Sequence, residues 1–372
     1  MKYFLLILIF IIAGCASTGT GKEEPAVKKI SPEIVIFVTP STAKELIDAK
    51  QENSEDFKFL FDMANKYFDL GKYSESSDLY MKIINEDPDN EDIQFCHYNL
   101  GLINMKLFEW DNAAIHFEKA FTLFEKVSDR TDAFLNYMES LKKAGKWDAV
   151  LSETEKAVNS YFSGRLNEKL MTEMSLRMAE ALIMTGKPDE GRKLAQYWDF
   201  EIRKKYPRYE AVYIPDLAFA DYVSAISFVY DFSKIRIDST IETLTEKCRN
   251  IVEAQKEFIK SINVGVVFWS NASAFEISRM YMDLYSEMES YPVPEELNDE
   301  EKEIYKCELW NKTANLLKKS RKILLKSMDV AKKAKEENEY LEKSSSMVKQ
   351  IDEIYDSKES ACGKYLKKQE LR

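Results

Sequence analysis

The chain has 372 residues, 45% hydrophobic and 31% charged, and its 64 acidic against 53 basic side chains leave a net charge of −11. With only 11 glycines and 9 prolines it holds few turn residues for a many-turned β fold, so helix is the expected state. The acidic balance argues against a phosphate-binding surface and against electrostatic attraction to anionic lipid headgroups.

The chain opens with Lys2 and an apolar run that closes on Ile12-Ala13-Gly14-Cys15. That run is too short to span a bilayer and has the anatomy of a removable signal. The four closing residues resemble the lipobox of bacterial lipoproteins. The resemblance implies cleavage before Cys15, acylation of its thiol, and a stable tether, since each buried methylene adds about 0.8 kcal/mol. The alternative is an ordinary signal peptide with an incidental cysteine. Ala16 and Ser17 lack the aspartate that retains many lipoproteins at the inner membrane, which points to the outer membrane. No other stretch reads as long and apolar enough to cross a membrane.

Ser17 to Pro25 is small, polar and charged, and reads as a flexible spacer. Ile34 to Val38 is a short β-prone apolar run stopped by Pro40, expected to cap the following helices. Ser41 or Thr42 can cap a helix from Ala43.

A repeat follows. Leu60, Ala64, Tyr67, Gly71, Tyr73, Tyr80 and Pro88 have counterparts in Leu100, Gly101, Ala113, Phe117 and Ala120, and again in Phe134, Leu141, Gly145, Trp147 and Ala157. The starts fall near Phe57, Gln94 and Thr131, a step of 37 residues. The pattern resembles the tetratricopeptide repeat, a helix-turn-helix unit whose apolar face one copy cannot cover, so neighbouring copies must stack. A fourth copy, Thr172 to Tyr206, keeps Ala179, Leu182, Gly186 and Ala195. It is degenerate, with Pro188 where an aromatic residue is usual and Gly191 where alanine is usual. Tyr67, Phe117 and Trp147 are expected in the core.

Beyond Pro207 the period is lost, but apolar residues keep helical spacing over Asp216 to Phe232, Ser239 to Ile262, Phe268 to Met288 and Asp299 to Asn338. Pro292-Val293-Pro294 separates the last two. Tyr281, Leu284, that Pro-Val-Pro, Leu297, Glu300-Glu301, Tyr305, Leu309, Ala314 and Leu324 resemble the C-terminal region of tetratricopeptide lipoproteins associated with gliding-motility complexes. The resemblance runs from about Ala274 to Glu342 and departs at Met280 and at Glu339-Tyr340.

Chemistry is sparse. His97 and His116 are the chain's two imidazoles and read as partly buried helix residues rather than metal ligands. There is no glycine-rich phosphate loop, HExxH or GxSxG. Besides Cys15, the cysteines Cys96, Cys248, Cys307 and Cys362 show no CxxC and read as buried free thiols, although an oxidising compartment would permit a Cys248 to Cys307 bridge. The lysine-rich run Lys318 to Lys335 reads as a solvated helix face, not a nucleic-acid site. No cofactor, metal or small-molecule substrate is expected.

In the tetratricopeptide template, certain positions of each first helix face the concave groove. They carry Phe61, Asn65 and Phe68 in the first copy and Phe95, Tyr98, Leu102 and Met105 in the second. The basic residues with which chaperone-binding members hold a C-terminal carboxylate are missing. Asn65 and Asn99 match that clamp, but Phe61, Asp132 and Asn136 stand where cations belong. What remains suits an apolar helix or extended peptide, unless the chain's own segments fill the groove.

The sequence therefore reads as an all-α tetratricopeptide solenoid followed by a non-repeat helical region. Its parts are a lipoprotein signal (1–14), a lipidated N-terminus with spacer and cap (15–53), the solenoid (54–209), the helical C-terminal region (210–354) and a polar tail (355–372). The expected function is non-enzymatic. It is a lipid-anchored scaffold binding other envelope proteins or peptides, on the outer membrane facing the periplasm, with motility as one context. The rival readings are an accessory lipoprotein of outer-membrane assembly or secretion with a single partner, and a cell-wall enzyme whose site has no recognisable motif.

Overall fold

The computed structural model describes residues 57–89, 92–161, 168–205, 211–238 and 241–366. The lipobox, the spacer, the run Ile34 to Val38 and the helix expected from Ala43 lie outside the described residues. The described residues are helical, with no strand among them, and fall into two compact units, 57–161 and 168–366.

The first unit is three helical hairpins: α1 (Phe57–Asp69) with α2 (Tyr73–Glu86), α3 (Ile93–Lys106) with α4 (Trp110–Leu123), and α5 (Val127–Lys143) with α6 (Trp147–Lys156). Each first helix ends in the same way. A residue at positive φ follows it, namely Gly71 (72°), Phe108 (60°) and Gly145 (73°), at the 37-residue step of the sequence repeat. The Gly71 N–H donates to the Phe68 carbonyl and the Lys72 N–H to the Tyr67 carbonyl, both at 2.9 Å. The same pair of bonds recurs at Phe108 and Glu109 (3.2 and 2.8 Å) and at Gly145 and Lys146 (3.0 and 2.9 Å). This is the Schellman ending, which satisfies the last helical carbonyls and reverses the chain.

The reversal brings small residues together. Ser76, on α2, donates its hydroxyl to the Ala64 carbonyl of α1 at 2.8 Å. In the second hairpin Gly101 lies under Phe117, and a Cβ at 101 would fall 2.7 Å from that ring. Ala113, Phe117, Ala120, Phe134 and Ala157 are fully buried, as the repeat register requires. Tyr67 and Trp147 differ from expectation. Both are half-buried, with the ammonium groups of Lys72 and Lys142 over their rings at 5.5 and 5.9 Å, so they close the hairpin surface rather than fill its interior.

The second unit comprises α7 (Glu168–Met184), α8 (Pro188–Lys205), α9 (Ile214–Lys234), α10 (Ile241–Val264), α11 (Val267–Glu289), α12 (Asp299–Ala334) and α13 (Glu339–Leu366). Helices α7 and α8 form the degenerate hairpin, turning at Gly186 with φ of 94°. Pro188 occupies the first position of α8, where its missing N–H has no intrahelical partner to lose. Gly191 replaces the usual alanine because a Cβ there would stand 2.4 Å from the Ala179 carbonyl oxygen. Leu176, Ala179, Ile183 and Ala195 of this hairpin share one core with Phe219, Ile251, Phe258, Met280, Leu317 and Ile351.

Helix α9 corrects the membrane reading. Ala211–Lys234 is long and apolar enough by composition to cross a bilayer. Its length is nevertheless mostly buried in the unit, with Leu217, Ala218, Ala220 and Val223 fully so, as befits a helix that is apolar nearly all round. After the Pro-Val-Pro break, Asn298 and Glu301 form a reciprocal capping box that starts α12. Leu317, Leu324 and Ala331 form its buried seam while Lys318, Lys322, Lys326, Lys332 and Lys333 are exposed, so the basic run is a solvated face.

The cysteine expectation fails for one pair. Cys307 on α12 and Cys362 on α13 form a disulfide, with Cα atoms 5.3 Å apart, while Cys96 and Cys248 are buried thiols outside any disulfide. Sequence gave no sign of it because the partners are 55 residues apart and meet only once α13 folds back along α12. Residues 355–366, which composition reads as polar tail, continue α13. There the Tyr355 hydroxyl donates to the Ala314 carbonyl at 2.7 Å and Lys358 pairs with Glu289.

Phe108 holds a position that glycine occupies in the other hairpins, and it is 76% exposed. Left-handed backbone costs a side-chain-bearing residue about 1–2 kcal/mol. Phe108→Gly is therefore expected to raise stability to chemical denaturation by about 0.5–1 kcal/mol, after the greater unfolded-state freedom of glycine is allowed for. Gly145→Ala, whose added Cβ meets nothing within 4 Å, should lower it by about 1 kcal/mol through backbone strain alone.

Candidate functional site

The seven groove residues lie along α1 and α3 at helical spacing, Phe61, Asn65 and Phe68 on the first, and Phe95, Tyr98, Leu102 and Met105 on the second. The hairpin turns set that register, and internal contacts then divide the set.

The asparagine is held inside a network. The Tyr80 hydroxyl donates to Asn65 Oδ1 at 2.6 Å, and Asn99 Nδ2 lies 3.1 Å from the same oxygen and 2.9 Å from the Tyr80 hydroxyl. Both asparagines that match the carboxylate clamp are thus engaged with Tyr80, a residue from the second helix of the first hairpin. Burial pushes the Tyr80 phenol far above its ordinary range, so it stays a neutral donor. One hairpin along, Asn136 Nδ2 donates to the Tyr98 hydroxyl at 3.0 Å, and burial pushes that phenol up to about 12. These bonds tie successive hairpins in register.

The aromatic positions separate into wall and surface. Phe61 packs edge-on to Tyr80 at 5.7 Å and Phe68 to Tyr73 at 5.8 Å, both half-buried against the first hairpin's core. Tyr98 is a core residue, only 7% exposed, between Phe117 at 5.4 Å and Phe124 at 6.1 Å. Phe95 also packs edge-on to Phe124, at 5.1 Å, and is 38% exposed. Leu102 and Met105 are half-buried. Phe124 was missed by sequence reading. It is the extended residue that ends α4, where the template assigns no role, and its ring decides which of its neighbours is covered.

The two histidines, which the sequence places in one repeat as partly buried helix residues, are brought together. His97 on α3 and His116 on α4 place their Nδ1 atoms 3.1 Å apart. Burial lowers both imidazoles, His97 to about 4 with His116 and then Lys119 adding to the effect. Among the described residues no group of three His, Cys, Asp or Glu side chains converges as a metal site.

No family model matches the sequence, and no curated protein matches it. Among solved structures, the chain is similar to YrrB, described as a TPR protein with an unusual peptide-binding site, at 19% identity and a TM-score of 0.37, over 59% of this chain and 97% of that one. It is also similar to a tetratricopeptide repeat protein from Parabacteroides merdae, at 13% identity and a TM-score of 0.34, over 79% of this chain and 98% of that one. A human IFIT1 dimer with m7Gppp-AAAA matches at 13% identity and a TM-score of 0.35, over 85% of this chain and 72% of that one. At these scores the likeness adds nothing to what the chain's own hairpins show, an all-α tetratricopeptide architecture.

Two outcomes are expected. Tyr98→Ala should cost about 3–5 kcal/mol of stability as a buried aromatic truncation, whereas Phe95→Ala should leave chemical denaturation within about 1 kcal/mol of wild type. The histidines have folded pKa values below their unfolded ones, so the unfolded chain binds more protons and stability falls as pH drops from about 6.5 towards 4. The double variant His97→Gln/His116→Gln should lose less stability than wild type between pH 7.5 and 4.5, measured by denaturant titration at each pH.

Proposed function

We propose that this chain is a lipid-anchored, non-enzymatic tetratricopeptide scaffold that binds other proteins in the bacterial cell envelope. The observation that carries the binding role is the repeated hairpin itself. The first two of three hairpins in one register present Phe61, Phe68, Phe95, Leu102 and Met105 half-buried or exposed on their first helices, a stripe suited to an apolar helix or extended peptide. Asn65 and Tyr98 support that stripe from within rather than contact a partner.

Location rests on Cys15 and its lipobox, with support from the Cys307–Cys362 disulfide, since such bonds persist in oxidising compartments and are rare in a reducing cytosol. The envelope assembly is one of motility or another membrane-spanning machine, following the resemblance around Pro292-Val293-Pro294.

Cys15→Ser is expected to abolish labelling by a fatty-acid analogue and to release the chain from membranes, while wild type should sediment with outer membranes on a density gradient. Continued labelling of the variant would sink the anchor. Phe95→Ala with Met105→Ala should reduce recovery of partners from detergent-solubilised membranes with melting nearly unchanged. Several stoichiometric partners support a scaffold, and a single one supports an accessory subunit.

A further inference from the structure

The chain has two histidines in 372 residues, and the fold sets them face to face across α3 and α4, Nδ1 to Nδ1 at 3.1 Å with ring centroids 5.4 Å apart. We propose that His97 and His116 form a two-histidine site for a divalent transition metal, coordinated through both Nδ1 atoms, that clamps the second hairpin.

The geometry carries the assignment. A metal ion about 2.0–2.1 Å from each of two imidazole nitrogens holds them about 2.9 Å apart at a right angle and about 3.4 Å apart at the tetrahedral angle. The observed separation lies between these limits. Both histidines are half-buried on their helices.

The surroundings choose the class of ion. Among the described residues no Asp or Glu joins the two imidazoles in a cluster, so nothing favours a hard, oxygen-seeking cation such as magnesium or calcium. Imidazole nitrogen alone suits copper, zinc and nickel, with copper(II) binding most strongly. Cys96, next to His97, is fully buried and joins no metal-ligating cluster.

The probe is copper(II) titrated into the full chain without a histidine tag, so that these imidazoles remain the only two. Wild type should bind one equivalent with nitrogen couplings from two imidazoles in its electron paramagnetic resonance spectrum, and its melting temperature should rise. His97→Ala and His116→Ala should each weaken binding at least tenfold and abolish the two-nitrogen signature. His97→Gln and His116→Gln, whose metal-free melting checks the fold, decide the matter if the alanine variants unfold. Equal copper affinity in wild type and variants, or a wild-type spectrum with oxygen ligands only, would overturn the site and leave two imidazoles sharing a hydrogen bond.

Discussion

The constraint on which the first unit depends is a single backbone state, the left-handed residue that ends each first helix. Once Gly71, Phe108 and Gly145 take positive φ, two hydrogen bonds close each helix end and the second helix must return along the first. Side-chain choice follows from that return. Ser76, Gly101 and Ala113 are small because the paired backbones approach closely at those points, and the larger Phe117 and Tyr80 fill the space one turn further on. Phe108 shows that the backbone state, not glycine, is what the architecture demands. The second hairpin makes the same turn with a strained aromatic residue that packs edge-on to Trp110 at 5.7 Å.

Hairpins of this kind stack by apolar contact, and apolar contact alone specifies register weakly. The Asn65–Tyr80–Asn99 and Tyr98–Asn136 bonds supply the missing specificity, because a slipped hairpin would leave those partly buried groups without partners. The same bonds shape the interaction surface. They fix the first helices in orientation while Phe61, Phe68 and Phe95 remain at the surface, so a partner would meet aromatic rings already held in place, at a lower ordering cost.

How much was legible in the sequence depended on the range of the interaction. Helix-forming segments and the repeat register were readable because they are set by local periodicity, and α9 to α12 begin and end within a few residues of the apolar pattern. The degenerate hairpin was readable too, and structure adds why Gly191 must be glycine. Contacts between residues far apart were not readable. Nothing in the chain near Cys362 announces Cys307, since that pairing depends on the path of α13. The template also marked Tyr98 as a groove position without registering that Phe124, at the end of α4, would cover it. The histidines fall between these cases. Their places in one repeat hinted at proximity, but only the packed hairpin sets their nitrogens face to face.

The free and bridged cysteines follow one physical rule. Cys96 is inert because burial keeps it protonated and out of reach of oxidants and partner thiols, and Cys248 is likewise buried. Cys307 and Cys362 are just as buried, yet they are bridged because α12 and α13 bring them within bonding distance. Closing a loop of 55 residues restricts the unfolded chain by about 4 kcal/mol in the chain-entropy account, a large fraction of a domain's stability. The bond holds down the last helix, whose other tethers include the ion pairs of Arg321 with Asp352 and Lys358 with Glu289. A chain that relies on such a bond is best suited to an oxidising compartment, which supports the envelope location proposed from Cys15. A reducing cytosol would leave α13 to its polar contacts and to the packing of Ile351, with Tyr340, Met347, Val348, Ile354 and Tyr355, against the core.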